Sequence, residues 1–245
     1  GEEDGFRLKA GDVQERITDK TKAVILNSPN NPTGAVLDRE ELKGIADLCV
    51  DHDLVAISDE IYEKIIYGGE HVSIASLPGM QERTITINGF SKAYSMTGWR
   101  LGYAAGPQEI IQAMNRVQAH SVSCATSFVQ KAGVVALTDS QDIVSKMVKE
   151  FRDRRDALMG MLREMEGVSC VEPKGAFYVF PNFAHYGEDS FELADFLLEE
   201  AGVAVIPGAA FGERGEGYQR LSYATSMENI NRAMERIKKV LEKRG

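Results

Sequence analysis

The chain has 245 residues, 27% of them charged and 43% hydrophobic, with a formal net charge of −9. That length supports a large core in one or two domains, and the acidic balance argues against nucleic acid as a main partner, because phosphate binding needs a basic surface. No apolar run approaches the roughly 18–20 residues needed to cross a membrane, and the acidic opening Gly1-Glu2-Glu3-Asp4 is not a signal peptide.

Strand and helix signals alternate along the first half. Ala23-Val24-Ile25-Leu26 is a short apolar run stopped by Asn27-Ser28-Pro29, so it reads as a strand ended by turn residues. Asp38 with Glu41 forms a capping-box pattern and predicts a helix through about Asp51. Leu54–Ile57 and Thr84–Ile87 are the next strands, and Gly102–Ala105 is another, ended by Gly106-Pro107. Helices are expected over about 108–119 and 126–138. This alternation predicts an α/β fold, a mostly parallel sheet sandwiched by helices, with ligands beyond the carboxyl ends of the strands.

From about residue 140 the character changes. Ile143, Met147, Phe151, Leu158, Met161, Leu162 and Met165 keep near-helical spacing and predict one long helix from Gln141 to about Glu166. Strands are expected near 168–172 and 176–180, separated by Pro173-Lys174-Gly175, then a helix over 190–201 and strands over 203–206 and 219–224. A final helix opens on a Thr225/Glu228 capping box and carries an Ile230, Met234, Ile237, Leu241 stripe. The expected division is 1–149 for part of a large ligand-binding domain and 150–245 for part of a smaller α+β domain.

The segment 89–102, Gly-Phe-Ser-Lys-Ala-Tyr-Ser-Met-Thr-Gly-Trp-Arg-Leu-Gly, carries the strongest chemical signal. Lys92 follows a buried strand, where burial disfavours a lysine's charge. A lysine of that kind forms a Schiff base with an aldehyde. Arg100, eight positions on, can hold an anionic group of the same ligand by bidentate hydrogen bonds. Aldehyde plus phosphate describes pyridoxal 5'-phosphate. That cofactor needs a carboxylate beside its ring nitrogen, and Asp59, at the carboxyl end of the second strand, is the candidate; in isolation Asp59 also fits a helix N-cap.

Residues 89–102 resemble the lysine signature of the class I/II aminotransferases, the fold type I pyridoxal phosphate enzymes, with small residues at Gly89 and Ser91, the lysine, and then Ser95, Met96, Gly98, Arg100, Leu101 and Gly102. Asn31-Pro32-Thr33-Gly34 is similar to the family's Asn-Pro-Thr-Gly motif. The resemblance implies that the Asn31 amide donates to the cofactor's phenolic oxygen and that the Asn31–Pro32 bond is cis. Asp59-Glu60-Ile61-Tyr62 is similar to the family's Asp-x-x-Tyr element, with Tyr62 bonding the same oxygen; Glu60 and Glu63 read as structural. Arg220 matches the arginine that clamps the substrate α-carboxylate, and Gly175-Ala176-Phe177-Tyr178 matches a segment lining the substrate side. Ser91 and Arg100 are the expected phosphate ligands.

The motifs stand in the family's order, and the resemblance covers essentially the whole chain. It implies transamination between an amino acid, aspartate or aromatic, and a 2-oxo acid such as 2-oxoglutarate. Lys92, once the substrate displaces it, would act as the general base that moves the proton from Cα to the cofactor carbon, with ping-pong kinetics, in a homodimeric enzyme. Two departures stand out. Gly89 occupies a place where many relatives have a phosphate-binding serine. The sequence also starts just before the Asn-Pro-Thr-Gly strand, so a C-terminal portion is expected, without the helix N-terminus that cradles the phosphate or the ring that stacks on the cofactor. A lyase on the same fold, and an inactive fragment or non-catalytic assembly module, are the competing readings. Cys49, Cys124 and Cys170 are widely spaced and odd in number, with neither a metal pattern nor a disulfide framework, which fits a reducing cytoplasm. His52, His71, His120 and His185 show no ligand spacing and read as surface or packing residues, so no metal is expected.

Overall fold

A computed structural model describes residues 1–187 and 189–244. The chain divides into two compact units: Arg7–Pro29 with Val36–Ser145, and Gly1–Phe6 with Asn30–Ala35 and Lys146–Gly245.

The first unit is built on four strands, β1 (Ala23–Asn27), β2 (Val55–Asp59), β3 (Thr84–Gly89) and β4 (Gly102–Ala105), in the order β1-β2-β3-β4. The first three are parallel and β4 runs antiparallel to β3. Asn27 is therefore in register with Asp59, and Asp59 with Ile87, so the carboxyl ends of β1, β2 and β3 share one edge. Helices α1 (Ala10–Gln14) and α2 (Arg39–Asp51) contribute to a core of Leu26, Leu42, Ile45, Cys49, Leu54, Ala56, Ile74 and Met80. Each fully buried Ile or Leu there is worth roughly 1.5–3 kcal/mol. The side chains of β1 alternate as a strand requires: Leu26 is buried in this core, whereas Ile25, on the opposite face, is 73% exposed.

Helix α2 starts where the capping box places it. The Asp38 side chain accepts from the backbone N–H groups of Glu40 and Glu41, and Glu41 accepts from Asp38 N. Helices α3 (Gln108–Ser121) and α4 (Ser127–Thr138) follow β4.

Helix α5 (Asp142–Arg163) begins in the first unit and continues into the second. The second unit contains the antiparallel strands β5 (Tyr178–Val179), β6 (Ile206–Pro207) and β7 (Gln219–Ser222), in the order β5-β7-β6. It also holds α6 (Ser190–Phe196), which continues as a π-helical turn over Leu197–Ala201, and α7 (Met227–Leu241). Phe183, Leu193, Leu197, Tyr223, Ile237 and Leu241 are fully buried here, and the Ile230, Met234, Ile237, Leu241 stripe is the buried face of α7.

Several expectations are corrected. Around 168–172 the backbone forms only a bridge from Ser169 to Asn182, and the 176–180 run pairs at Tyr178 and Val179 alone. Prolines at 173 and 181 bracket that run, and Ala176 has a left-handed φ of 57°, which breaks the extended path. The expected strand over 203–206 is displaced to Ile206–Pro207. Helix α7 is capped by Ser226, whose side chain accepts from Asn229 N, and not by a Thr225/Glu228 box; the Thr225 hydroxyl accepts from Asn229 Nδ2 instead.

Candidate active site

In the first unit, the residues singled out in the sequence gather at the carboxyl edge of the parallel strands. Asp59 is the last residue of β2. Its backbone carbonyl accepts from Asn27 Nδ2 at 3.2 Å and from Ser28 N at 3.3 Å. Its side-chain Oδ1 accepts from Ile61 N at 3.2 Å. No helix follows; residues 61–64 form a turn, so the N-cap alternative does not apply. Burial pushes the Asp59 carboxyl above its ordinary value. The Ile61 N–H pulls it back, the neighbouring Glu60 charge adds to the rise, and Lys92 lowers it.

Tyr62 lies in the turn after β2 and is buried. The Lys92 Nζ sits over its ring, 5.8 Å from the centroid. Lys92 itself is in the turn that follows β3, with Ser91 beside it and buried Phe90 and Ala93 anchoring that turn. Two non-glycine residues after it, Ser95 (φ 53°) and Arg100 (φ 52°), are left-handed. Such backbone costs of order 1–3 kcal/mol each and collects where geometry matters.

Arg100 closes the short helical turn Thr97–Trp99 and donates from NH1 to the Thr97 carbonyl at 2.9 Å. It lines an open cleft of about 950 Å³ together with Ser95, Trp99, Gln118, Cys124 and Thr126. At Gly89 a Cβ would stand 3.1 Å from Gly102 Cα and from the Leu101 carbonyl oxygen. The close approach of β3 to β4 therefore leaves little room for a serine at that position.

The second unit carries the other two residues. The Asn31–Pro32 peptide is cis, as is Ser28–Pro29 in the first unit. Arg220, on β7, donates from NH1 to Asn31 Oδ1 at 2.7 Å across 189 positions of sequence. Its guanidinium lies over the Tyr178 ring at 4.5 Å and the Phe211 ring at 5.2 Å, and its Nε is buried with no hydrogen-bond acceptor among the described residues. The loop bearing Asn31 is fastened by Gly34, whose carbonyl accepts from Lys174 N at 2.9 Å and Gly175 N at 3.0 Å.

Sequence reasoning missed some of the surroundings. Tyr178 and Phe211 flank Arg220, a role that only the pairing of β7 between β5 and β6 makes visible. Glu60 and His71, read as structural and packing residues, bond each other at 2.8 Å. The signal available in the sequence was a buried-strand Ser-Asp-Glu followed by His-x-Ser, which is weak without the loop that closes it.

The arrangement suits a ligand with a cationic ring nitrogen for a desolvated carboxylate, an aldehyde for a lysine and an anion for an arginine. The family model described as aminotransferase class I and II matches residues 1–237. The chain is 50% identical to an aspartate aminotransferase of Pyrococcus abyssi and 48% identical to aromatic-amino-acid aminotransferase 2 of Thermococcus litoralis, in each case over 99% of this chain and 63% of the relative. Among solved structures, the aromatic aminotransferase from Pyrococcus horikoshii superposes with a TM-score of 0.97 at 51% identity, over all of this chain and 66% of that one. The chain thus spans a little under two thirds of the length of the curated relatives it matches.

Proposed function

The chain belongs to the class I and II aminotransferase family, and from that premise we propose that the full protein is a pyridoxal phosphate-dependent aminotransferase acting on aspartate or an aromatic amino acid with a 2-oxo acid such as 2-oxoglutarate. The observation that carries this is the joint placement of Asp59, Tyr62 and Lys92 at one strand edge. The residues fit the cofactor. Asp59 is a carboxyl pushed up by burial, and a ring N–H⁺ beside it would offset that cost. Arg220 holds a buried Nε with no acceptor, and Asn31, with Oδ1 on Arg220, has its amide Nδ2 as donor.

When bound, the cofactor supplies an electron sink for the charge left as an amino acid's Cα proton departs. The protein residues do the rest. Asp59 would keep the ring nitrogen protonated. On the family's pattern Tyr62 and Asn31 would each hydrogen-bond the phenolic oxygen, Arg100 and Ser91 would hold the phosphate, and Arg220 would hold the substrate α-carboxylate through its planar fork. Lys92 would hold the cofactor covalently and, as a free amine, would act as general base toward the substrate Cα proton. Residues 1–149 would then be part of the cofactor-binding large domain and 150–245 the C-terminal part of the small one. A homodimer in the cytoplasm is the setting we propose, on the family's pattern; no helix among the described residues is long and apolar enough to cross a membrane.

The test is Lys92→Ala in the full-length protein, assayed for 2-oxo acid formation from aspartate and from phenylalanine. Turnover should fall by at least about a thousandfold, since both nucleophile and base are lost. Undiminished turnover, or ammonia released in place of amine transfer, overturns the proposal.

A further inference from the structure

We propose that Glu60 and His71 are a positioning pair for Asp59: a buried clasp that fixes the end of β2 so that the Asp59 carboxyl has one direction. The inference rests on the cofactor reading above and assigns to it two residues that take no part in the chemistry.

The geometry is specific. Glu60 is 3% exposed, yet it carries a carboxylate at the edge of a sheet. Three donors converge on that group. Ser58 Oγ and Ser73 Oγ both donate to Oε1, at 2.9 and 2.7 Å, and His71 Nε2 meets Oε2 at 2.8 Å. A carboxylate only accepts, so Nε2 carries the proton. The backbone joins in, with Glu60 N donating to the Ile87 carbonyl of β3 at 2.9 Å. The clasp therefore ties β2 to β3 and to the loop 71–73, on both sides of Asp59.

Alternation along the strand puts Glu60 and Asp59 on opposite faces. With its oxygens engaged by three donors, the Glu60 charge is kept on its own side. Without those donors nothing would fix the Glu60 carboxylate against the repulsion of Asp59, whose carboxyl it already raises, and of Glu63, whose carboxylate lies within 4.8 Å. His71 Nδ1 is buried and has no hydrogen-bond partner among the described residues. What His71 does here it does through the other nitrogen, Nε2, on Glu60 Oε2.

The experiment uses the full-length protein loaded with pyridoxal phosphate and the variants Glu60→Ala, Glu60→Gln and His71→Asn. Three quantities are read: cofactor retained through dialysis, visible circular dichroism per bound cofactor, which reports ring orientation, and melting temperature. Glu60→Ala should weaken retention about tenfold and reduce the dichroism per bound cofactor by about half or more. Glu60→Gln keeps two acceptor contacts and a donor for the histidine, and should restore both to within about twofold of wild type. His71→Asn, at a site less buried than Glu60, should fall between them and serves if Glu60→Ala does not fold. A lower melting temperature with unchanged dichroism per bound cofactor means a purely structural clasp and overturns the inference. Failure of the wild-type protein to bind pyridoxal phosphate at all overturns the functional reading beneath it, and this inference with it.

Discussion

At the scale of single residues, Asp59 shows stability given up for a site. Its folded carboxyl lies above the ordinary value of 3.8, mainly through burial, so the folded state binds that proton more readily than the unfolded chain. The contribution to stability is then greatest with Asp59 protonated. It declines as pH rises from about 4 through the folded value. Asp59→Asn, uncharged at every pH, should match wild type in melting temperature near pH 3.5 and exceed it increasingly toward pH 7, while losing tight cofactor binding. Parallel melting curves across that range would show that burial does not strain the carboxylate. Gly34 makes the opposite trade. It sits at φ +70°, and a Cβ there would run into the Pro173 side chain and lie 2.9 Å from the Gly175 carbonyl oxygen. Gly34→Ala should cost about 2–3 kcal/mol in urea unfolding and loosen the loop that presents Asn31 to Arg220.

At the scale of elements, local rules worked where one short stretch holds all the partners. The Asp38/Glu41 box opens α2 as read, because both hydrogen bonds lie within four residues. At α7 two hydroxyl residues stand side by side, and pattern alone does not say which one turns its oxygen toward the helix; the backbone selects Ser226. Ser226→Ala should therefore cost about 1 kcal/mol and Thr225→Ala only a few tenths, measured by chemical denaturation. An equal loss at both positions would reinstate the expected box. The strands around 168–180 were over-read because apolar, aromatic composition signals burial as well as pairing. Phe177 and Phe180 pack on the Phe151 and Tyr218 rings, and beyond Tyr178 and Val179 the run reaches β7 only through the Phe177 and Pro181 carbonyls, which accept from Tyr223 N and Gln219 N. The strand ends that carry Asp59 and the turn that carries Lys92 were legible from the alternation of β and α signals. The Glu60 clasp was not, because its donors come from residues 2, 11 and 13 positions away and meet only when the loop folds back.

At the scale of the whole molecule, the three thiols differ by environment rather than by sequence. Cys49 is fully buried in the first unit's core, and burial raises its thiol above the usual value. Burial pushes Cys170 to about 12. Cys124 is exposed. The thiolate is the reactive form, so a thiol reagent at pH 8 should label one group rapidly, identified as Cys124 by mass spectrometry, and the other two only after unfolding. Rapid labelling of all three would mean that neither core is as closed as described.

The short segment Asn30–Ala35 belongs to the second unit although the chain on either side of it belongs to the first. Its consequence is temporal. The arginine that donates to Asn31 is translated 189 residues after it. The first unit can complete its parallel strands and close around Asp59 and Lys92 beforehand. The Asn31–Arg220 bond therefore forms only after the first unit's strands have been made, and no single proteolytic cut separates the two units into intact pieces.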